Sequence, residues 1–208
     1  APATTPDNSN VVVNNTGAER PENAAAEQVV KLFYSDEITD WNPLHPSSAS
    51  TWANWIDSLV EYDNYGMCQP CLAESWTKSE DGLTWTFTMR DGLKWSDGTE
   101  LNAKDFEYTM KRIANPDVGA PYGETVVGMI EGYQDAIGNP DKNGKKTTKP
   151  DIDKLNVKAS EDGKTLTIKL AYPCSYFDKI VAFGTMSPVQ KATVEKNGDS
   201  WATKPETY

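Results

Sequence analysis

The chain has 208 residues, enough for one ordinary domain or two small ones around a proper core. Thirty-one acidic side chains against twenty basic ones give a formal charge of −11 and an isoelectric point near 4.6. A surface of that sign repels nucleic-acid phosphates and anionic lipid, which excludes nucleic acid as the expected partner, and no apolar run approaches the roughly 20 residues of a membrane-spanning helix.

The chain opens Ala1-Pro2-Ala3-Thr4-Thr5-Pro6 without an initiator Met, a basic region or an apolar leader, which reads as a mature or trimmed start. Residues 1–28 are rich in Ala, Pro, Asn, Thr and Glu, with Val11-Val12-Val13 as the one apolar cluster. Such a segment buries too little to offset its ordering entropy and is read as a tether. A strand is expected over Val29–Ser35, followed by a turn-rich stretch through Asn42-Pro43 and His45-Pro46. Ser47 or Ser48 then caps an expected helix over about 49–60, on the spacing of Trp52, Trp55, Ile56, Leu59 and Val60.

An internal echo comes next. Ser79-Glu80-Asp81-Gly82-Leu83-Thr84-Trp85-Thr86-Phe87 reappears as Ser160-Glu161-Asp162-Gly163-Lys164-Thr165-Leu166-Thr167-Ile168. In each copy Asp-Gly supplies a tight turn, and the strand that follows alternates apolar with polar residues. Two such hairpins indicate one small mixed sheet. Between them Asn102 caps a helix over 103–114, with Asp105 at the reciprocal capping position and Phe106, Met110 and Ile113 on one face. Asn115-Pro116 ends it. A second helix is expected over 124–136, then a surface excursion at 138–146, a strand to Ala171, a short helix near 176–181 and a polar helix near 189–197. Strands and helices without strict alternation indicate an α/β fold with mixed sheets.

The chemistry-bearing motifs are few. No Gly-x-Ser-x-Gly elbow, phosphate loop or His-Glu-x-x-His occurs. His45 has no acid beside it in sequence and reads as a loop histidine. The Asp141-x-Asn143-Gly144 stretch lacks the remaining ligands of a calcium loop, and no cofactor is expected. Cys68-Gln69-Pro70-Cys71 has redox or zinc spacing, but only His45 and Cys174 remain to complete a zinc site. Structural thiols, a disulfide and a chemical role all stay open. Trp85 and Trp95 fit strand cores, while an exposed Trp would favour sugar stacking. Carboxylates are too plentiful for sequence to exclude a glycosidase pair, although none sits in an apolar setting that singles it out.

Leu72-Ala73-Glu74-Ser75-Trp76 and the run from Leu83 to Thr99 strongly resemble the family-5 extracellular solute-binding proteins of bacterial ABC importers, the oligopeptide-binding branch in particular. The resemblance continues through Ala103-Lys104-Asp105-Phe106, Pro121-Tyr122, Tyr176-Phe177, Ser187-Pro188-Val189 and Glu195–Trp201. It implies a non-enzymatic, monomeric, extracytoplasmic lipoprotein with the type II periplasmic-binding-protein fold. Such a protein would close two lobes on an oligopeptide and deliver it to an ABC permease. By the same resemblance, residues 29–59 begin the first lobe, 60–188 form a small additional domain, 189–208 return to the first lobe, and the second lobe lies beyond Tyr208. Ser47, Ser48 and Ala49 match the stretch that pairs with the ligand backbone, and Tyr122 matches a ligand-contacting tyrosine. Ser47 and Ser48 suit a helix cap equally well, and Tyr122 suits packing beneath a loop. The same scaffold also admits a dipeptide, an oligosaccharide or a metal chelate.

Overall fold

The computed structural model describes residues 11–13, 19–21, 31, 40–45 and 55–203. The chain divides into two compact units, Ala1–Ser35 and Asp36–Tyr208. In the first, within the span read as a tether, β1 (Val11–Val13) pairs antiparallel with β2 (Glu19–Pro21). The strand expected over Val29–Ser35 lies outside the described residues, Lys31 excepted.

The second unit is organised by one four-stranded sheet in the order β5-β6-β8-β7, made of Ala73–Lys78, Thr84–Met89, Thr165–Lys169 and Val157–Ala159. The two echoed segments supply its two hairpins, which abut through β6 and β8, so every described pairing in the sheet is antiparallel. The two turns are built alike. Ser79 and Ser160 hydroxyls donate to Asp81 and Asp162, and the same carboxylates accept the N–H groups of Leu83 and Lys164. Gly82 and Gly163 both take φ +71°, the left-handed region that a side chain strains.

Alternation decides which face is buried. Trp85, Phe87 and Met89 point into the core, and the register sets Trp85 opposite Ile168 and Phe87 opposite Leu166. Helix α1 (Ala103–Ala114) lies against β7 and β8 and buries Phe106, Met110 and Ile113 in the same core. Its start is closed as expected: the Asn102 side chain accepts the Lys104 N–H, and Asp105 accepts the Asn102 N–H, each at 3.0 Å.

Two expected helices are corrected. No helix covers 55–60: Ser58 and Leu59 give their carbonyls to Leu72, Cys71 and Ala73, and Val60 enters β3 (Val60–Tyr62), paired with β4 (Cys68–Pro70). Lateral pairing overrides the helical spacing there, and residues 49–54 lie outside the described set. The helix expected over 124–136 is two short ones, α2 (Gly123–Val127) and α3 (Tyr133–Ile137). The intervening segment is drawn to the sheet edge, where Ala171 N–H donates to Met129, Ile130 bridges Leu170 and Glu131 N–H donates to Lys169. Gly132, at φ +85°, passes so close to the Lys154 carbonyl that a Cβ would stand 1.9 Å from its oxygen. The unit continues with α4 (Phe177–Val181) and α5 (Lys191–Asn197).

The paired turns give a direct test. A Cβ on Gly82 would meet Pro173 at an ordinary 3.4 Å, whereas one on Gly163 would lie 2.8 Å from the Asn102 side chain that caps α1. Gly82→Ala should cost about 1–2 kcal/mol through left-handed backbone strain alone. Gly163→Ala should cost more, because it also displaces the cap. Urea unfolding of both variants checks the order, and equal losses would contradict it.

Candidate ligand-binding face

Tyr122 is placed by its neighbours on both sides. Beyond α1, Asn115 bonds the Asp117 N–H through its side chain and the Val118 N–H through its carbonyl, turning the chain back. Gly123 is buried against the end of α1, where an added Cβ would stand 3.1 Å from the Ile113 carbonyl. The Tyr122 carbonyl accepts the Val126 N–H, and Val126 and Val127 anchor α2 in the core. With its backbone so held, the Tyr122 ring stays 38% exposed. It stands edge-on to Phe183, with centroids 5.6 Å apart and planes at 81°. Among the described residues the Tyr122 hydroxyl has no hydrogen-bond partner. Tyr122 therefore keeps part of its ring open to the outside, and no described residue occupies its hydroxyl.

Phe183 was not singled out by its sequence. It follows α4, whose Phe177 and Val181 are fully buried and whose Phe177 ring lies 5.6 Å from Trp85. Its N–H donates to Ile180 and its carbonyl accepts from Met186, which fixes the turn into a 3-10 segment at Gly184–Met186. A phenylalanine after a short apolar helix carries no local sign of what it will face.

Ser47, Ser48 and Ala49 lie outside the described residues. The segment leading to them is built tightly. Trp41 N–H donates to Ala202, Asn42 and its neighbours close a turn, and Leu44 is buried. His45 is not without an acid: its Nδ1 lies 2.8 Å from an Asp40 carboxylate oxygen, which also ties the turn together.

The surroundings of Cys68 and Cys71 favour the protonated thiol. Cys68, Cys71 and Cys174 are free, and the first two lie on β4 and immediately after it. Burial, then the carboxylates of Asp57 and Glu61, push the Cys71 thiol up to about 11. Burial followed by Asp178 raises Cys68 as well. A raised thiol stays protonated near neutral pH and is a poor nucleophile. Trp85 belongs to the core and Trp95 packs against it, so neither presents a sugar platform. Among the described residues no three His, Cys, Asp or Glu side chains are grouped to hold a metal ion, and no helix is long and apolar enough to cross a membrane.

The antiparallel sheet, its capped helix and the flanking short helices are those of the type II periplasmic binding proteins. The profile described as Bacterial extracellular solute-binding proteins, family 5 Middle matches residues 68–208, and the chain belongs to that family. It is 39% identical over 147 residues to the periplasmic oligopeptide-binding protein OppA of Salmonella typhimurium, covering 70% of this chain and 25% of that one. Among solved structures, the substrate-binding domain of an oligopeptide ABC transporter from Bacillus anthracis superimposes with a TM-score of 0.76 at 30% identity, over 88% of this chain and 34% of that one. Haemophilus influenzae OppA in complex with the peptide RPPGFSPFR gives 0.71 at 30% identity, over 83% and 32%. The chain thus spans about a quarter of the length of the curated relative and about a third of the solved chains.

The thiol environment has a measurable consequence. Alkylation of Cys71 by iodoacetamide should be slow at pH 8, where roughly 0.1% is thiolate, and should rise about tenfold per pH unit toward pH 11. Rapid labelling at pH 7 in the folded protein, timed by mass spectrometry, would contradict the burial.

Proposed function

We propose that this chain is part of an extracytoplasmic peptide-binding protein that hands oligopeptides to an ABC permease and carries out no catalysis. The observation that carries this reading is the likeness, over 83% of the chain, to a solved OppA holding a nine-residue peptide. The protein acts as a monomer, anchored as a lipoprotein, with two lobes that close on the guest.

Residues 1–28 serve as a tether, 29–59 begin the first lobe, 60–188 form the small additional domain and 189–208 return to the first lobe. The last boundary is supported by a separate apolar cluster. Val189, Val194, Trp201 and Ala202 pack together with Trp41, apart from the main core that ends at Met186. Thr109 ties the two clusters, accepting the Val189 N–H at 2.9 Å.

The guest is held chiefly by its main chain. Every peptide carries the same backbone donors and acceptors, so hydrogen bonds to them, worth about 0.5–1.5 kcal/mol each, give affinity independent of sequence. Ser47, Ser48 and Ala49 supply the strand-like pairing, and Tyr122 contacts the guest through its exposed ring and a hydroxyl that has no partner among the described residues.

Native mass spectrometry of the protein as isolated from its host should show a mixture of co-purified peptides. A single sugar, bile-acid or chelate species would overturn the reading. In calorimetric titration with such a peptide, Tyr122→Phe should lose about 2- to 10-fold in affinity, the worth of one hydrogen bond, at unchanged thermal stability. An affinity unaltered in both Tyr122→Phe and Tyr122→Ala would remove Tyr122 from the site.

A further inference from the structure

The excursion between α3 and the sheet is the most strongly basic stretch of an acidic protein. Residues 138–150 carry Lys142, Lys145, Lys146 and Lys149 against a single acid, Asp141, in a chain of net charge −11. Residues 140–149 are all exposed.

The segment is a built hairpin. Gly138 and Asn139 leave α3 at positive φ, and Pro140 bridges Lys146 antiparallel. The Asp141 N–H donates to Lys145, and the Gly144 N–H returns to Asp141, each at 2.8 Å. At the base, Thr147 N–H donates to Gly138 and Asp151 N–H to Asp135. The one acid is occupied locally: the Asp141 carboxylate accepts the N–H groups of Asn143 and Lys145. Among the described residues none of the four ammonium groups has an acidic partner. Nor does the stretch hold any large apolar side chain that could insert into another surface.

We propose that this hairpin is an electrostatic contact for the anionic phospholipid headgroups of a membrane. A fixed loop presents its charges without the ordering cost of a flexible tail. Four residues from base to tip reach up to roughly 13 Å at ~3.3 Å per residue. That exceeds the screening length of about 8 Å at physiological salt, so the tip meets a flat anionic surface while the acidic body stands off behind it. A long, curved polyanion such as a nucleic acid would be brought against the body and repelled. The contact is weak and reversible, since each lysine near such a surface contributes about a five-fold gain in partitioning and nothing inserts.

The test is co-sedimentation of the full chain with vesicles of equal parts phosphatidylglycerol and phosphatidylcholine, against phosphatidylcholine alone. Binding should appear only with the anionic vesicles and disappear at high salt. Each Lys→Gln among the four should lower partitioning about five-fold. A control replacing Lys94, Lys104, Lys158 and Lys196 by Gln carries the same change in net charge and should bind as the parent does. Absence of partitioning at physiological salt, equal binding to both vesicle types, or equal loss in the control would overturn the proposal. So would displacement from vesicles by millimolar glycerol phosphate, which would mark a site for free phosphate. The readout does not involve a peptide guest, so the peptide-binding reading stands or falls separately.

Discussion

The main core of the larger unit is arranged around the apolar face of β6 and β8. Trp85, Phe87 and Met89 come to one side because the strand alternates, and the antiparallel register sets Leu166 and Ile168 against them. Burying side chains of this size contributes about 1.5–3 kcal/mol apiece, far more than any surface ion pair in the molecule. The face is usable because the two hairpins meet through their second strands. Each Asp-Gly turn fixes the register of its own hairpin, and a slip of one residue in either would turn that strand's apolar side chains to solvent.

Position is passed outward from that face by packing. Trp85 receives Phe177, Phe177 and Val181 seat α4, and the turn after α4 delivers Phe183. On the other side, α1 sits on β7 and β8, its end receives Gly123, and α2 begins with Tyr122 beside that contact. Two independent chains of buried contacts thus converge on one exposed aromatic pair. Close-packed interiors transmit position from one side chain to the next, so the pair is set from beneath even though neither ring is buried.

What could be read from sequence was what short-range chemistry decides. The Asn102–Asp105 cap, the helix at 103–114, the two Asp-Gly turns and the alternation of β6 and β8 all depend on residues a few positions apart. The failures share the opposite cause. Val60 has helical spacing from Ile56, yet residues 69–73 compete for the same backbone and win. The 124–136 segment is interrupted because Met129 and Ile130 pair with Ala171 and Leu170 beyond the end of β8. His45 gained its acid through a turn that folds back five residues to Asp40. Of the candidate site, Tyr122 was legible through the family resemblance alone, and Phe183 had no signal because its contact with Tyr122 exists only once α2 and α4 are brought side by side.

The division between buried and exposed residues has a consequence for how such a surface can change. The groups that set the position of Tyr122 and Phe183 are Gly123, Val126, Phe177 and Val181, all buried. Replacing any of them opens or overfills the core and is felt as instability. Tyr122 and Phe183 themselves lie 38% and 39% exposed, so altering their rings disturbs little beneath them. The exposed rings and the groups that seat them are therefore different residues, Tyr122 and Phe183 flanking the short helices and Val126 and Phe177 within them. A surface divided in this way can change its exposed rings by substitution while the hairpins and the capped helix stay as they are.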